Sequence, residues 1–414
     1  MNFLFAWRYF KAKKTTNAIN IISWISIVAI TIGTASLILV LSVFNGFEGL
    51  VKSLYSSFYP DIRISPSSGK QIVLTPEQLQ KIRSVKGVSN LSLVVEERAL
   101  LQNKASEEDS LDYQSVIYLK GVDSNYTSVT EVAGHMIEGD FKTGDADHPL
   151  LVLGAGIENA VGVEADRNIR PLAVYMPRKG EVNLMDPFSS LSSESVNTSG
   201  SFVIQQDFDN KYAITNLGFV KKMLGMDENA YSAAELAETR GMDVDATRDQ
   251  LRQVLGPAYL VQDRFEQNVS LYSVMRVEKW IIYAILSLIL TVAAFNMVGA
   301  LTMLVLEKKQ DISVLQALGA SQNFIQRVFL SEGMLLAFIG GGAGMLMALT
   351  LAELQLKYKL IPLRGSTFMI DYFPVKMVPS DFLLVGVTVL VIALVASWMP
   401  ARKAAMQQFA LREE

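Results

Sequence analysis

Residues 21 to 44, "IISWISIVAITIGTASLILVLSVF", and residues 280 to 305 contain no Asp, Glu, Lys or Arg. A helix rises about 1.5 Å per residue, so roughly 20 apolar residues cross a hydrocarbon layer about 30 Å thick. A helix in water needs a polar face. Neither segment has one, and both are long enough to cross a bilayer. Two further segments, 328 to 352 and 382 to 399 ("FLLVGVTVLVIALVASWM"), are of similar character. Together they account for the 50 % hydrophobic content and the mean hydropathy of +0.28. The expected architecture is an α-helical membrane protein with four transmembrane helices at 20–44, 280–305, 328–352 and 381–399. The first apolar stretch is longer than the roughly 7 to 15 residues of a signal-peptide core and lacks a closing small-x-small site, so it is read as a retained anchor.

Basic residues near helix ends mark the cytoplasmic side. Arg8, Lys11, Lys13 and Lys14 precede the first helix, and no acidic residue occurs before Glu48. Residues 1–19 are therefore read as a cytoplasmic amphipathic segment. Four crossings return the tail, 400–414, to the same side, where Arg402, Lys403 and Arg412 stand. The loop 306–327 carries Lys308, Lys309 and Arg327. Lys357, Lys359, Arg364 and Lys376 in the short loop 353–380 oppose this assignment, and the even helix count outweighs them.

Residues 45–279 then form a large extracytoplasmic domain between helices one and two. Acidic residues outnumber basic ones within it, and the reverse holds elsewhere in the chain. That distribution fits export on a basic-flanked anchor better than nucleic-acid binding. With no cysteine in the chain, the domain is held by its apolar core alone, and thiolate metal sites, cysteine nucleophiles and a lipid-modified cysteine are excluded. Its pattern is mixed α+β. Strands are expected at 60–65, 88–102, 115–123, 149–156, 171–180 and 201–208, and helices at 75–85, 216–226, 232–239 and 245–255. The Ser-rich stretch 181–200, "EVNLMDPFSSLSSESVNTSG", reads as a surface loop.

Catalytic signatures are missing. No G-x-x-x-x-G-K-[ST] occurs, so the chain has no P-loop of its own. "GAGIENAVG" (154 to 162) lacks the third glycine in register and a following acidic partner. The two histidines, His135 and His148, stand far from each other and from any triad pattern. The chain is not expected to be an enzyme or to bind a metal.

The membrane helices and their connections carry more information. Asn20, Ser23, Thr31, Thr34 and Ser42 fall near one stripe of the first helix, followed by Asn45 at its edge, and Asn296 lies in the second. A small polar stripe packs helices closely or lines a cavity, and packing is the plainer reading. "IGGGAG" (339 to 344) in the third helix has the same meaning. Glu332 lies near the start of that helix, where the macrodipole tolerates a carboxylate. In "LEKKQDISVLQALGASQNFIQRVF" (306 to 329) the second helix continues, stops at Gly319 and restarts with Ser321 as N-cap. Ile312, Leu315 and Leu318 make an apolar stripe that calls for a partner groove or lies on the membrane surface.

"EKKQDISVLQALGAS" resembles the loop by which FtsX-like permeases dock on an ABC ATPase. "FAWRYFKAKK" (5 to 14), "SVFNGFE" (42 to 48) and "VAAFNMVGALTMLVLEKKQDI" (292 to 312) are similar to the narrower Lol-type lipoprotein-releasing permeases, and the external domain follows the MacB-like periplasmic order in outline. The resemblance implies a type VII ABC transporter permease in the bacterial inner membrane, with both termini cytoplasmic and the large domain periplasmic. It implies a cytoplasmic ATPase dimer that alone handles ATP, and a second permease, self or sister. Lipoprotein cargo and a periplasmic lipoprotein carrier complete the set. Glu307, Lys308, Lys309, Asp311, Ile312, Leu315, Leu318 and Gly319 would then make the ATPase contact. The stretch 181–200 falls where one permease of the Lol pair carries a hook for the carrier, which makes Met185, Pro187 and Phe188 the candidate carrier contacts. The tail departs from the family pattern in being short and in having Phe409 where a proline is usual.

Two other functions share this architecture: a mechanotransmitter that activates cell-wall hydrolases, and an efflux permease working with a periplasmic adaptor. "SVFNGFE" and the length of the external domain favour lipoprotein release.

Overall fold

A computed structural model describes residues 17–103, 113–167, 171–177, 191–239, 241–363 and 372–406. The chain divides into two compact units, one of long apolar helices and one formed by Val51–Tyr272.

The helical unit contains four long helices, which are labelled together with the shorter elements in chain order. They are α1 (Asn17–Phe58), α8 (Val269–Glu307), α10 (Gln322–Tyr358) and α11 (Pro379–Ala405). Each is long and apolar enough to span a bilayer, so the chain is a multi-pass membrane protein. The helices overrun the apolar windows. A polar residue at a membrane edge does not end a helix, and α1 stops only where Pro60 restricts the residue before it. The helices themselves therefore run past the apolar windows, to Phe58 and Tyr358 at one end and from Val269 at the other.

Small residues set the crossings. A Cβ on Gly344 would lie 2.6 Å from the Thr31 carbonyl oxygen, and one on Gly340 would lie 3.0 Å from that of Ile27, so α10 packs backbone-close on α1. Thr31 Oγ1 donates to the Gly340 carbonyl at 3.1 Å. On the other side of α10, Gly333 meets Ser397 of α11.

In the soluble unit, β1 (Ile62–Pro66), α2 (Pro76–Ser84), β3 (Val88–Asn103), β11 (Ala233–Glu238), α6 (Val244–Leu255) and β12 (Tyr259–Asp263) form a split βαββαβ. The strand order is β12-β1-β11-β3, antiparallel throughout. Thr75 and Gln78 close a capping box on α2, as "TPEQ" predicts. Ile62, Ile64, Leu91 and Leu236 pack with Ile82 of α2 and Leu251 of α6.

Everything between β3 and β11 is an insertion. It contains β4 (Tyr113–Val122), β5 (Met136–Gly139), β6 (Leu150–Gly154), α3 (Ala155–Val161), β7 (Leu172–Pro177), β8 (Leu191–Phe202), α4 (Gln206–Asp209), β9 (Tyr212–Asn216) and α5 (Leu217–Leu224). A short pair, β2 (Ile72–Val73) with β10 (Ala230–Tyr231), and α7 (Arg264–Gln267) complete the unit. The far half of β3 leads into a ring, β3-β4-β9-β6-β8-β7, that closes back on β3. Closure leaves these strands without free edges.

Three expectations fail here: of the strand expected at 201–208 only Ser201 and Phe202 belong to β8, and the chain then turns into α4, where Asp209 Oδ1 accepts from the Ile204 and Gln205 amides. Residues 232–239, rich in helix-forming Ala and Glu, are not a helix but β11, because pairing between β1 and β3 and complete burial of Ala233 and Ala234 outweigh propensity. Residues 191–200 are not a loop but the first part of β8, which pairs with β7 over 191–196 and with β6 from 197 onward.

One sheet face carries a charge row. Lys120 Nζ sits 2.8 Å from Glu235 Oε1, and Arg63 bridges Glu235 at 3.5 Å and Glu96 at 3.3 Å. Tyr212 donates to Glu96 at 3.1 Å. Burial works against the Lys120 charge, but the Glu235 carboxylate outweighs it, and the lysine pKa is raised. The rings of Phe58 and Tyr126 cover its ammonium at 5.0 and 4.9 Å.

Candidate functional site

The candidate site lies in the helical unit, at the end where α1 and α8 continue toward the soluble sequence. Asn45 is buried there, at 5 % exposure. Its Nδ2 donates to Asp381 Oδ2 of α11 at 2.6 Å and to the Lys376 carbonyl at 3.4 Å, and its Oδ1 accepts from Lys279 Nζ of α8 at 2.8 Å. Lys279 and Asp381 approach to 3.6 Å. One amide thus joins α1, α8, α11 and the segment before α11. Asp381 stands in the first turn of its helix, where the macrodipole favours a carboxylate.

That segment is a strap laid on α1. The Lys376 amide donates to the Ser42 carbonyl at 2.9 Å, and Phe47 meets Phe373 edge to face at 5.7 Å. A Cβ on Gly46 would lie 2.3 Å from the Pro374 carbonyl oxygen, so only glycine admits the strap. Gln355, near the end of α10, clasps the other side. Its Nε2 donates to the carbonyls of Ile361 and Phe373, and its Oε1 accepts from the Ile361 amide. "SVFNGF" is therefore a docking sequence: Ser42 supplies a carbonyl, Asn45 a clamp, Gly46 clearance and Phe47 a ring contact.

The polar stripe faces the chain's own helices. Ser23, Thr34 and Ser42 are buried, with Thr34 against Gly344. Asn20 lies in the first turn of α1, and its side chain is outside the described residues. Asn296 departs from this pattern and is exposed on α8.

At the opposite ends of the helices, α8 stops at Glu307, and α9 (Lys309–Ala317) follows with Lys308 at its cap. Lys308 pairs with Asp311 at 3.1 Å. Gly319, at φ +90°, turns the chain, and the Ser321 side chain accepts from the Phe324 amide to start α10. The expected exposed stripe is corrected here. Ile312 is 2 % exposed and belongs to the helix core, Leu315 is half-buried, and the outward apolar side chains are Val314 and Leu318, at 59 % and 80 % exposure. Ile312 follows buried Leu301 and Val305 by eleven and seven residues, a helical spacing that keeps it on the core face. Met185, Pro187 and Phe188 lie outside the described residues.

Residues 283–409 match the FtsX-like permease C-terminal family, and residues 23–170 match the MacB-like periplasmic core domain, about two thirds of the chain between them. One chain thus joins a segment similar to the FtsX-like permeases to one similar to the MacB-like periplasmic core. It is 27 % identical to the lipoprotein-releasing system transmembrane protein LolC of Neisseria meningitidis serogroup B, over 97 % of this chain and 96 % of the relative. Against LolE of Haemophilus influenzae the identity is 25 %, over 98 % and 97 %. Against LolC of Xylella fastidiosa it is 26 %, over 97 % and 95 %. Both Lol names occur at similar identity, so the likeness does not single out one of the two.

Sequence reasoning named Asn45 and missed its partners. Lys279 and Asp381 each stand one residue before an apolar window, at 280 and 382. In a four-helix chain those two windows begin at the same membrane face. Opposite charges at equivalent helix starts were the available signal.

Proposed function

We propose that this chain is the permease subunit of an ABC transporter that draws lipoproteins out of the outer leaflet of the bacterial inner membrane and passes them to a periplasmic carrier. The observation that carries the reading is the alignment with lipoprotein-releasing permeases, which spans the membrane helices and the soluble domain alike. In this arrangement the termini are cytoplasmic, the soluble domain is periplasmic, and a separate ATPase dimer docks at α9 and the turn after it. Withdrawing acyl chains from a bilayer costs about 0.8 kcal/mol per CH₂, so an external motor and an apolar receiving surface are both required. The exposed Val314 and Leu318 beside Lys309 and Asp311 supply an apolar patch rimmed by charge, of the kind an ATPase groove accepts. A second permease, whether a copy or a sister, faces the apolar side of α8.

The test is reconstitution with the cognate ATPase in liposomes carrying a triacylated lipoprotein, scoring ATP-dependent transfer to a soluble carrier. Transfer that stops with Leu318→Asp, while membrane insertion persists, supports release and the coupling turn together. Vigorous ATPase activity without transfer redirects the reading to mechanotransmission on a cell-wall hydrolase. Transport of a small solute that needs an adaptor redirects it to efflux.

A further inference from the structure

Helix α8 is held in two different ways along its length. Its buried residues are Leu290, Ala294, Met297, Ala300, Leu301, Leu304 and Val305, all in the half nearer α9. From Val269 to Ile289 no residue is buried, and Tyr283 and Leu286 reach the core only in part. What ties that half to the bundle is polar: Lys279 to Asn45 and Asp381, and the Tyr283 hydroxyl to Thr388 Oγ1 at 2.5 Å. Its other face presents Trp280, Ile281, Ile285 and Leu288 outward, each more than half exposed.

The two kinds of attachment respond differently to load. Side chains packed in a helix core separate only by opening a cavity. A hydrogen bond or ion pair at a headgroup boundary exchanges for water at small net cost. Lys279 bonds Asn45 at 2.8 Å and approaches Asp381 at 3.6 Å while 30 % exposed, whereas Asn45 and Asp381 are buried and bond at 2.6 Å. The cluster is therefore shielded from water on the α1–α11 side and open to it on the α8 side.

We infer that Lys279 is a positioning residue for transport, the detachable side of a latch by which the periplasmic half of α8 swings away from α1 and α11 about a hinge at Leu290. Release draws Tyr283 and Leu286 off the helix core and opens an apolar gap between the moving half of α8 and the α1–α11 pair, suited to a hydrocarbon chain. Re-formation of the latch closes it. This rests on the transport reading for its purpose but not for its motion.

The chain contains no cysteine, so paired cysteines report directly. In the permease–ATPase complex, Lys279→Cys/Asp381→Cys is joined by a short bis-methanethiosulfonate, each cysteine thiolate displacing methanesulfinate to form a reducible disulfide with the linker. The hinge control is Gly33→Cys/Leu290→Cys, where a Cβ on Gly33 lies 4.0 Å from the Leu290 Cβ, within disulfide reach. We expect the 279–381 tether to abolish ATP-driven transfer at least tenfold and reducing agent to restore it. The 33–290 disulfide is expected to leave transfer within twofold. Transfer that survives full tethering, or that stops equally with the hinge disulfide, overturns the inference. The rate of tethering, compared without nucleotide and with ATP trapped, is the second readout and needs no cargo. It must differ between the two states; equal rates overturn the latch even if transfer works. A changing rate in a complex that transfers nothing keeps the latch and sinks the transport reading instead.

Discussion

Asn45 and Asp381, 336 positions apart in the chain, are joined by a 2.6 Å hydrogen bond between buried side chains. The bond fixes the start of α11 against the middle of α1. Asn45→Ala leaves the Asp381 carboxylate with Lys279 at 3.6 Å and removes a donor from the Lys376 carbonyl. An expected loss of about 1–3 kcal/mol follows from stranding buried polar groups, read as a lower unfolding temperature in detergent. Asn45→Asp sets two carboxylates together and should cost more than Asn45→Ala.

Gly46→Ala tests the strap. Its new Cβ would meet the Pro374 carbonyl at 2.3 Å, and the obstacle is backbone, which cannot rotate aside as a side chain would. The strap should lift from α1 while the helix itself persists, since alanine is a better helix former. A cysteine placed at Val375 should react faster with a membrane-impermeant maleimide in the Gly46→Ala background than in the parent. Equal labelling rates would mean the strap is held elsewhere.

Glycines of the third membrane helix divide by what they face. Gly344→Val drives a side chain into the Thr31 carbonyl at 2.6 Å, whereas a Cβ on Gly342 meets nothing within 4 Å. The first should destabilise the helix bundle by about 1–3 kcal/mol through overpacking; Gly342→Ala should be neutral. Thermal unfolding of the two purified variants, run side by side, checks the contrast.

The buried pair Lys120–Glu235 makes an asymmetric prediction. Lys120→Met strands Glu235, which is 0 % exposed, with Arg63 at 3.5 Å as its remaining cation, at a cost of about 3–5 kcal/mol. The double variant Lys120→Met/Glu235→Leu removes both charges and should recover part of that loss. Denaturation of the full chain, followed by a soluble-domain probe, measures both. A double variant less stable than Lys120→Met would show that the pair contributes more than mutual neutralisation.

The reading of residues as pattern succeeded where one local physical constraint dominates. Apolar runs of membrane-spanning length give the four membrane helices, "TPEQ" gives the cap of α2, and Gly319 with Ser321 gives the turn between α9 and α10. It failed where partners are distant. Residues 232–239 have a helical composition and become a central strand because β1 and β3 flank them. Ile312 shares a stripe with Leu315 and Leu318, yet its register with buried Leu301 and Val305 of the preceding helix puts it in the core. Asn45 stood out in the sequence as a polar residue at a membrane edge, but nothing nearby in the chain names Lys279 or Asp381 as its partners.

By itself the sequence determined that the chain crosses a membrane, how often, and that a cysteine-free acidic domain follows the first crossing. Solvent partition acts on each segment independently, so composition over about 20 residues suffices to decide it. Only the tertiary structure decided that "SVFNGF" is a dock for the strap before α11, that α8 is anchored by packing in one half and by polar contacts in the other, and which coupling-turn side chains face outward. Those properties belong to pairs of residues tens to hundreds of positions apart. They come into being when the helices pack, and a linear pattern carries no record of which faces meet.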